Sequence, residues 1–116
     1  MFNKLFGKRA PDFSAVDSNE KVQSLFAEDK LEKLYLFPLD YGGEDIPLNV
    51  VFVPSGIGQL KAQIDAKVGK LLEEGLVSNY EAKPEYKGNS FIPSKINVKA
   101  SHPARSAEFK YSVDIW

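Results

Sequence analysis

The chain reads as an α+β domain of element order α-β-β-α-β-β-β, a two-layer sandwich in which a largely antiparallel five-stranded sheet carries two helices on one face. Two patterns lead there. Residues 56–74 repeat apolar side chains at three- and four-residue steps (Ile57, Leu60, Ile64, Val68, Leu71, Leu72), as a helix does when one side faces a core. The last third instead alternates, with Ile96, Val98 and Ala100 in one run and Phe109, Tyr111, Val113 and Ile115 in the next, the period of half-buried strands.

Taken in order, residues 1–16 have neither period and form an extended basic leader, and residues 17–116 form the single domain. The start sets Met1, Phe2, Leu5 and Phe6 against Lys4, Lys8 and Arg9, an amphipathic turn too short to anchor stably on a membrane. A first helix begins with a capping box, Asp17 and Glu20, and carries Val22, Leu25 and Phe26 before ending near Glu28. Two strands follow, at 33–41 and 46–53, reversing at Gly42 and Gly43. The second is apolar on both faces, with Leu48, Val50 and Phe52 on one and Val51 and Val53 on the other, as in a central strand. If Leu34 and Leu36 face the helices, Tyr35 and Phe37 face away beside Val51 and Val53, an apolar sheet face that needs a cover. Gly75 ends the long helix as a left-handed cap, and Gly69 within it marks a close approach of helix to sheet. Three strands then form a meander with turns at "KGNS" and "HPARSA", and Pro84 puts the first of them at an edge or gives it a bulge.

A chain of 116 residues, 43% hydrophobic and 27% charged, holds one core without a staple, and with no cysteine it has neither disulfides nor thiolate metal sites. No run is long and apolar enough for a membrane span, and the start lacks a secretory apolar stretch, so the expected location is cytoplasmic. The net charge of −1 is unevenly spread. Residues 12–50 hold nine acidic and three basic side chains, whereas residues 77–116 hold six basic and four acidic ones, which speaks against nucleic acid as a partner.

The stretch "VPSGIGQLKAQIDAKVG" has the layout of a phosphate loop, strand to glycine turn to helix, but Gln59 and Leu60 follow Gly58 where a phosphate-binding loop needs lysine and a hydroxyl. Lys61 stands where a dinucleotide fingerprint needs its third glycine, and Val53 and Ile57 stand where a nucleophile elbow needs glycines around Ser55. What remains is a helix start whose amides at Ser55, Gly56 and Gly58 attract an anion. His102, the one histidine, lies in a polar turn with Arg105 and reads as a bystander; "LDYGGED" lacks the spacing of a calcium loop, and no cofactor or metal is expected.

The expected function is that of a small non-enzymatic protein-binding module of inhibitor, immunity or regulatory type. The acidic turn Asp40, Glu44 and Asp45 steers a basic protein partner, and Tyr35 and Phe37 supply apolar contact. A homodimer is compatible with the same surfaces. The alternative is a small-molecule or anion-binding domain, catalytic or not, built on residues 55–58.

Overall fold

A computed structural model of the chain describes residues 11–116. Most of the expected leader, with its amphipathic start, lies outside the described residues. Its last part is already packed: Val16 is buried, the Phe13 ring meets Trp116 edge-on at 5.9 Å, and the Phe91 amide donates to the Val16 carbonyl at 2.7 Å.

Helix α1 is Asn19–Ala27. Its cap is Ser18, one residue later than expected: the Ser18 hydroxyl accepts from the Lys21 amide at 3.2 Å, while Asp17 pairs with the Lys21 ammonium. Strand β1, Leu31–Tyr35, pairs antiparallel with β2, Val50–Pro54. Helix α2, Ile57–Glu73, closes with the expected glycine cap: Gly75 adopts φ 74°, its amide reaches Leu72, and the Leu76 amide reaches back to Leu71. Strands β3, Asn79–Tyr86, β4, Pro93–Ser101, and β5, Glu108–Asp114, form the meander. The α+β class and the order of elements are those the periodicities predict.

The strands nevertheless divide into two antiparallel sheets, β1-β2 and β3-β4-β5, rather than one sheet of five. Pro84 explains part of this, because a strand without that amide cannot extend a ladder, and the register slips between Glu85 and Tyr86. Both consequences expected of Pro84, an edge position and an irregularity, occur together.

Alternation fixes which side of the β1-β2 ribbon each helix takes. Leu34, Val51 and Val53 join Val68 of α2 in the main core, together with Ile96, Val98, Ala100 and Val113 from the meander. Phe52 points the other way, stacking edge-on against Phe26 of α1 at 5.0 Å, in a second core with Val16, Val22, Leu31 and Ile92. The two apolar faces of β2 are therefore covered by a helix each, instead of both helices lying on one face. Trp116 bridges the two cores, with its indole N–H bonded to the Ile92 carbonyl at 3.0 Å.

Opposite Tyr80, Ala82 and Pro84 on β3 stand Ala100, Val98 and Ile96 on β4, and then Phe109, Tyr111 and Val113 on β5, so this face packs inward. The outer face carries Glu81, Lys83, Lys99, Glu108 and Lys110, linked by ion pairs of 3.5–3.8 Å. These exposed pairs suit a solvated face and add little stability.

Gly69 is needed for a reason other than contact with the sheet. A Cβ there would stand 2.7 Å from the Tyr41 hydroxyl, which donates to the carbonyl of Asp65 in the same helix. A helix-interior glycine costs about 0.5–1 kcal/mol relative to alanine. Gly69→Ala is expected to lower stability in the native chain, because it expels the hydroxyl, and to raise it by about 0.5–1 kcal/mol in a Tyr41→Phe background. Urea melts of the four proteins check this; equal stabilisation in both backgrounds would show that the glycine serves no such purpose.

Candidate functional site

Between β1 and β2 the chain does not turn tightly at Gly42 and Gly43. Residues 36–49 instead make an ordered connection containing two 3₁₀ turns, Leu39–Tyr41 and Pro47–Asn49. Gly42 ends the first with φ 99°. Gly43 is required by crowding: its amide donates to the Pro38 carbonyl, and a Cβ would collide with the Phe37 carbonyl oxygen. One side chain closes the loop. Asn49 accepts from the Phe37 amide at 2.7 Å and donates to the carbonyls of Phe37 and Glu44, both at 2.9 Å. The backbone of 36–49 is thus held at both ends and in the middle, a shape that binding need not create.

That ordering leaves large apolar side chains in water. Phe37 is 37% exposed, Ile46 43%, Leu39 47% and Leu48 90%, although the alternation of Leu48 with Val50 and Phe52 suggests a strand residue. The Pro47–Asn49 turn breaks the strand before Leu48 can use that period.

The acidic residues of the connection differ in their surroundings. Asp45 pairs with Lys33 at 2.8 Å, which holds the Lys33 ammonium above the usual lysine range; Asp40 and Glu44 make no ion pair among the described residues. Tyr35 is half-buried, opposite Val50, with the Lys33 ammonium 5.4 Å from its ring. Phe37 lies beyond the strand, its ring 5.5 Å from that of Tyr80. The two do not stand beside Val51 and Val53, which are buried under α2 because the register sets Leu34 opposite Val51.

The connection rests on a polar cluster that sequence periodicity does not reveal. Lys61 of α2 is only 2% exposed. Its ammonium pairs with Asp65 one turn on, at 2.8 Å, and donates to the Tyr80 hydroxyl at 2.9 Å; that hydroxyl in turn donates to the second Asp65 oxygen at 2.6 Å. The Leu36 carbonyl lies 3.3 Å from the Tyr80 oxygen, whose one proton is committed to Asp65, and the Tyr41 hydroxyl donates to the Asp65 carbonyl. Three segments, the first 3₁₀ turn, α2 and β3, are tied at one point. Burial lowers Lys61 against the hydrogen bond and charge of Asp65, while burial first, then Asp65, drives Tyr80 far above the ordinary tyrosine range. Tyr80 is therefore not poised to lose its proton near neutrality. A pocket of about 280 Å³ opens beside the cluster, bounded by Leu34, Tyr35, Leu39, Asp40 and Gly58.

The α2 start has an anion of its own. The Glu32 carboxylate, from β1, accepts from the Gly58 amide at 2.7 Å and the Gly56 amide at 3.1 Å, and the Ser55 hydroxyl donates to the Asp29 carbonyl at 2.9 Å. Ser55, Gly56 and Gly58 are therefore engaged within the chain, and Glu32 does what an external anion would do at a helix N-terminus. His102 accepts from the Ala104 amide through Nδ1, and Arg105 follows in the same turn. Among the described residues, no three His, Asp or Glu side chains gather as a metal set, and no helix is long and apolar enough to cross a membrane. Against family models, curated proteins and solved structures, the chain finds no match.

The chemistry missed by the sequence reading lies in Lys61, Asp65, Glu32 and Asn49. Only the four-residue spacing of Lys61 and Asp65 left a trace, and that spacing is equally common on solvated helix faces.

Two outcomes follow from these contacts. Tyr80 and Tyr41 both titrate higher in the folded chain than the ordinary 10.0. Their contribution is therefore present below about pH 10 and declines as pH rises further, since the unfolded chain ionises first. Lys61, lowered, acts in the opposite sense, gaining stability as pH climbs toward 10.5. Denaturant melts from about pH 8 to about pH 11 should show a shallower alkaline loss in Tyr80→Phe than in the native chain. Glu32→Ala should cost about 1 kcal/mol, the usual value of a helix cap, and the variant but not the native chain should be stabilised by added phosphate in a thermal melt.

Proposed function

We infer that the protein is a non-enzymatic protein-binding module, of inhibitor, immunity or regulatory type, whose recognition element is the 36–49 connection. The observation that carries this reading is the exposure of Phe37, Leu39, Ile46 and Leu48 on a backbone already locked by Asn49 and Gly43. The apolar surface that such side chains leave in water gains nothing for folding. They gain on contact with a partner, and a preorganised loop spends little entropy in making it.

Charge supplies the partner's sign. Residues 36–49 contain three carboxylates and no basic residue. Asp45 is partly neutralised by Lys33, which leaves Asp40 and Glu44 to attract a basic surface. Apolar contact then provides residence and charge provides encounter.

Separate variants divide these roles. Leu48→Asp should leave the melting curve within about 0.5 kcal/mol of native, as an exposed substitution does, yet weaken partner binding mainly by faster dissociation. Asp40→Lys with Glu44→Lys should slow association chiefly at low salt, where screening is weakest. A partner captured on the native chain and followed by biosensor at two salt concentrations gives both rates. Unchanged rates in both variants would remove the connection as the recognition element.

A further inference from the structure

Strand β3 has one edge without a neighbour. It lies outermost in the order β3-β4-β5, and among the described residues no backbone hydrogen bond joins residues 79–83 to any element but β4. Pro84 shows which backbone groups face that edge. A residue without an N–H keeps its register opposite Ile96 only where the N–H would point away from β4, so Tyr80 and Ala82, at the same parity, turn their amides and carbonyls outward. The apolar face is unfinished there as well. Ala100, Val98 and Ile96 of β4 are fully buried, whereas Tyr80, Ala82 and Pro84 opposite them are only half-buried. A cleft of about 410 Å³, lined by Phe37, Leu48, Tyr80 and Ala82, opens along the edge.

The outward side chains of this edge are of both signs. Glu81 and Lys83 are exposed and 3.5 Å apart, and Lys99 lies 3.8 Å from Glu81, so a segment of a single sign meets attraction at one position and repulsion at the next. A fitting segment carries lysine and glutamate at the same two-residue spacing but in the reverse direction. β3 itself does so when it runs antiparallel to a copy of itself.

The geometry points to a second copy of this chain as the occupant: β3 pairs with β3 about a two-fold axis at Ala82, joining two three-stranded sheets into one. In that register Glu81 of each copy stands opposite Lys83 of the other, Ala82 opposite Ala82, and Tyr80 opposite Pro84. The Ala82 amides and carbonyls exchange hydrogen bonds across the axis, and each Tyr80 amide meets a Pro84 carbonyl, so Pro84 has only to accept. Moving the axis to Glu81 or to Lys83 would set like charges directly opposite each other, which destabilises a sheet. Exposed ion pairs add little affinity, so the charges choose the register, while the ladder and the continued row of Tyr80, Ala82 and Pro84 supply the attraction. Leu39, Asp40 and Ile46 line other clefts, so this pairing goes beyond the recognition role of the connection and does not depend on it.

Sedimentation of the whole chain tests the pairing. The interface is short, so a weak dimer is expected, its apparent mass rising toward two copies between about 10 μM and about 1 mM. Ala82→Pro removes an amide that a single copy leaves unbonded; the variant should still unfold cooperatively in urea and should stay monomeric throughout that range. Glu81→Lys sets lysine opposite lysine, and Lys83→Glu sets glutamate opposite glutamate, so each variant alone should associate about tenfold more weakly than the native chain. Mixed in equal amounts, the two restore opposite charges at both positions and should form a heterodimer, more tightly at low salt. This mixture decides the matter even where Ala82→Pro fails to fold. A native chain that is monomeric at about 1 mM overturns the proposal, and so does a dimer that a folded Ala82→Pro leaves intact. Charge variants that associate as well alone as when mixed overturn the pairing about Ala82.

Discussion

A lysine ammonium taken out of water stays charged inside a protein only when other groups replace its hydration. Lys61 has Asp65 one turn away and the Tyr80 hydroxyl across from it, and Tyr80 closes the triangle by donating back to Asp65. The arrangement is sensitive to position, because each of its short contacts joins a different pair of groups. If α2 moved by one residue along β3, Tyr80 could not reach both Lys61 and Asp65, and the remaining charge would be buried without a partner. The cluster therefore adds less to net stability than to choosing one placement of α2 from the several that an apolar stripe alone would accept.

That placement extends outward to the surface. With α2 fixed, the Asp65 carbonyl receives the Tyr41 hydroxyl, and the missing side chain at Gly69 leaves room for it. Tyr80 also packs against Phe37. The 36–49 connection is thus seated on the helix at one point and on β3 at another, while Asn49 gives it internal shape. A loop supported in this way can carry exposed Leu48 and Leu39 without collapsing onto the core. Glu32 performs a comparable service at the other end of α2, where its carboxylate meets the helix's first amides and ties β1 to the helix start.

The two cores explain why so small a chain has an unusually occupied hairpin. The β1-β2 ribbon has only five residues in each strand, and a ribbon of that size is not stable in water by itself. Covering Phe52 and Leu31 with α1, and Val51, Val53 and Leu34 with α2, removes both faces from solvent. Trp116 and Phe13, from opposite ends of the described chain, seal the seam between the cores.

Residue order by itself determined what depends on local periodicity and local backbone chemistry. The α+β class, the long helix with its Gly75 cap, the inward rows of the meander and the edge position of β3 all follow from spacing within one element, or from what proline and glycine can do in place. The same reasoning misjudged residues 46–49, because Leu48, Val50 and Phe52 alternate whether or not the strand has begun; Pro47 and the inward-turned Asn49 decide that it has not. It gave Lys61 no partner and found a free helix start at Gly56 and Gly58. Only the tertiary structure could correct these, since the partners of Lys61 include Tyr80, 19 residues away, and that of Gly58 is Glu32, 26 residues away. Periodicity records which side of an element is apolar, not which distant carboxylate or hydroxyl arrives there, and electrostatic satisfaction of a buried charge is settled by that arrival.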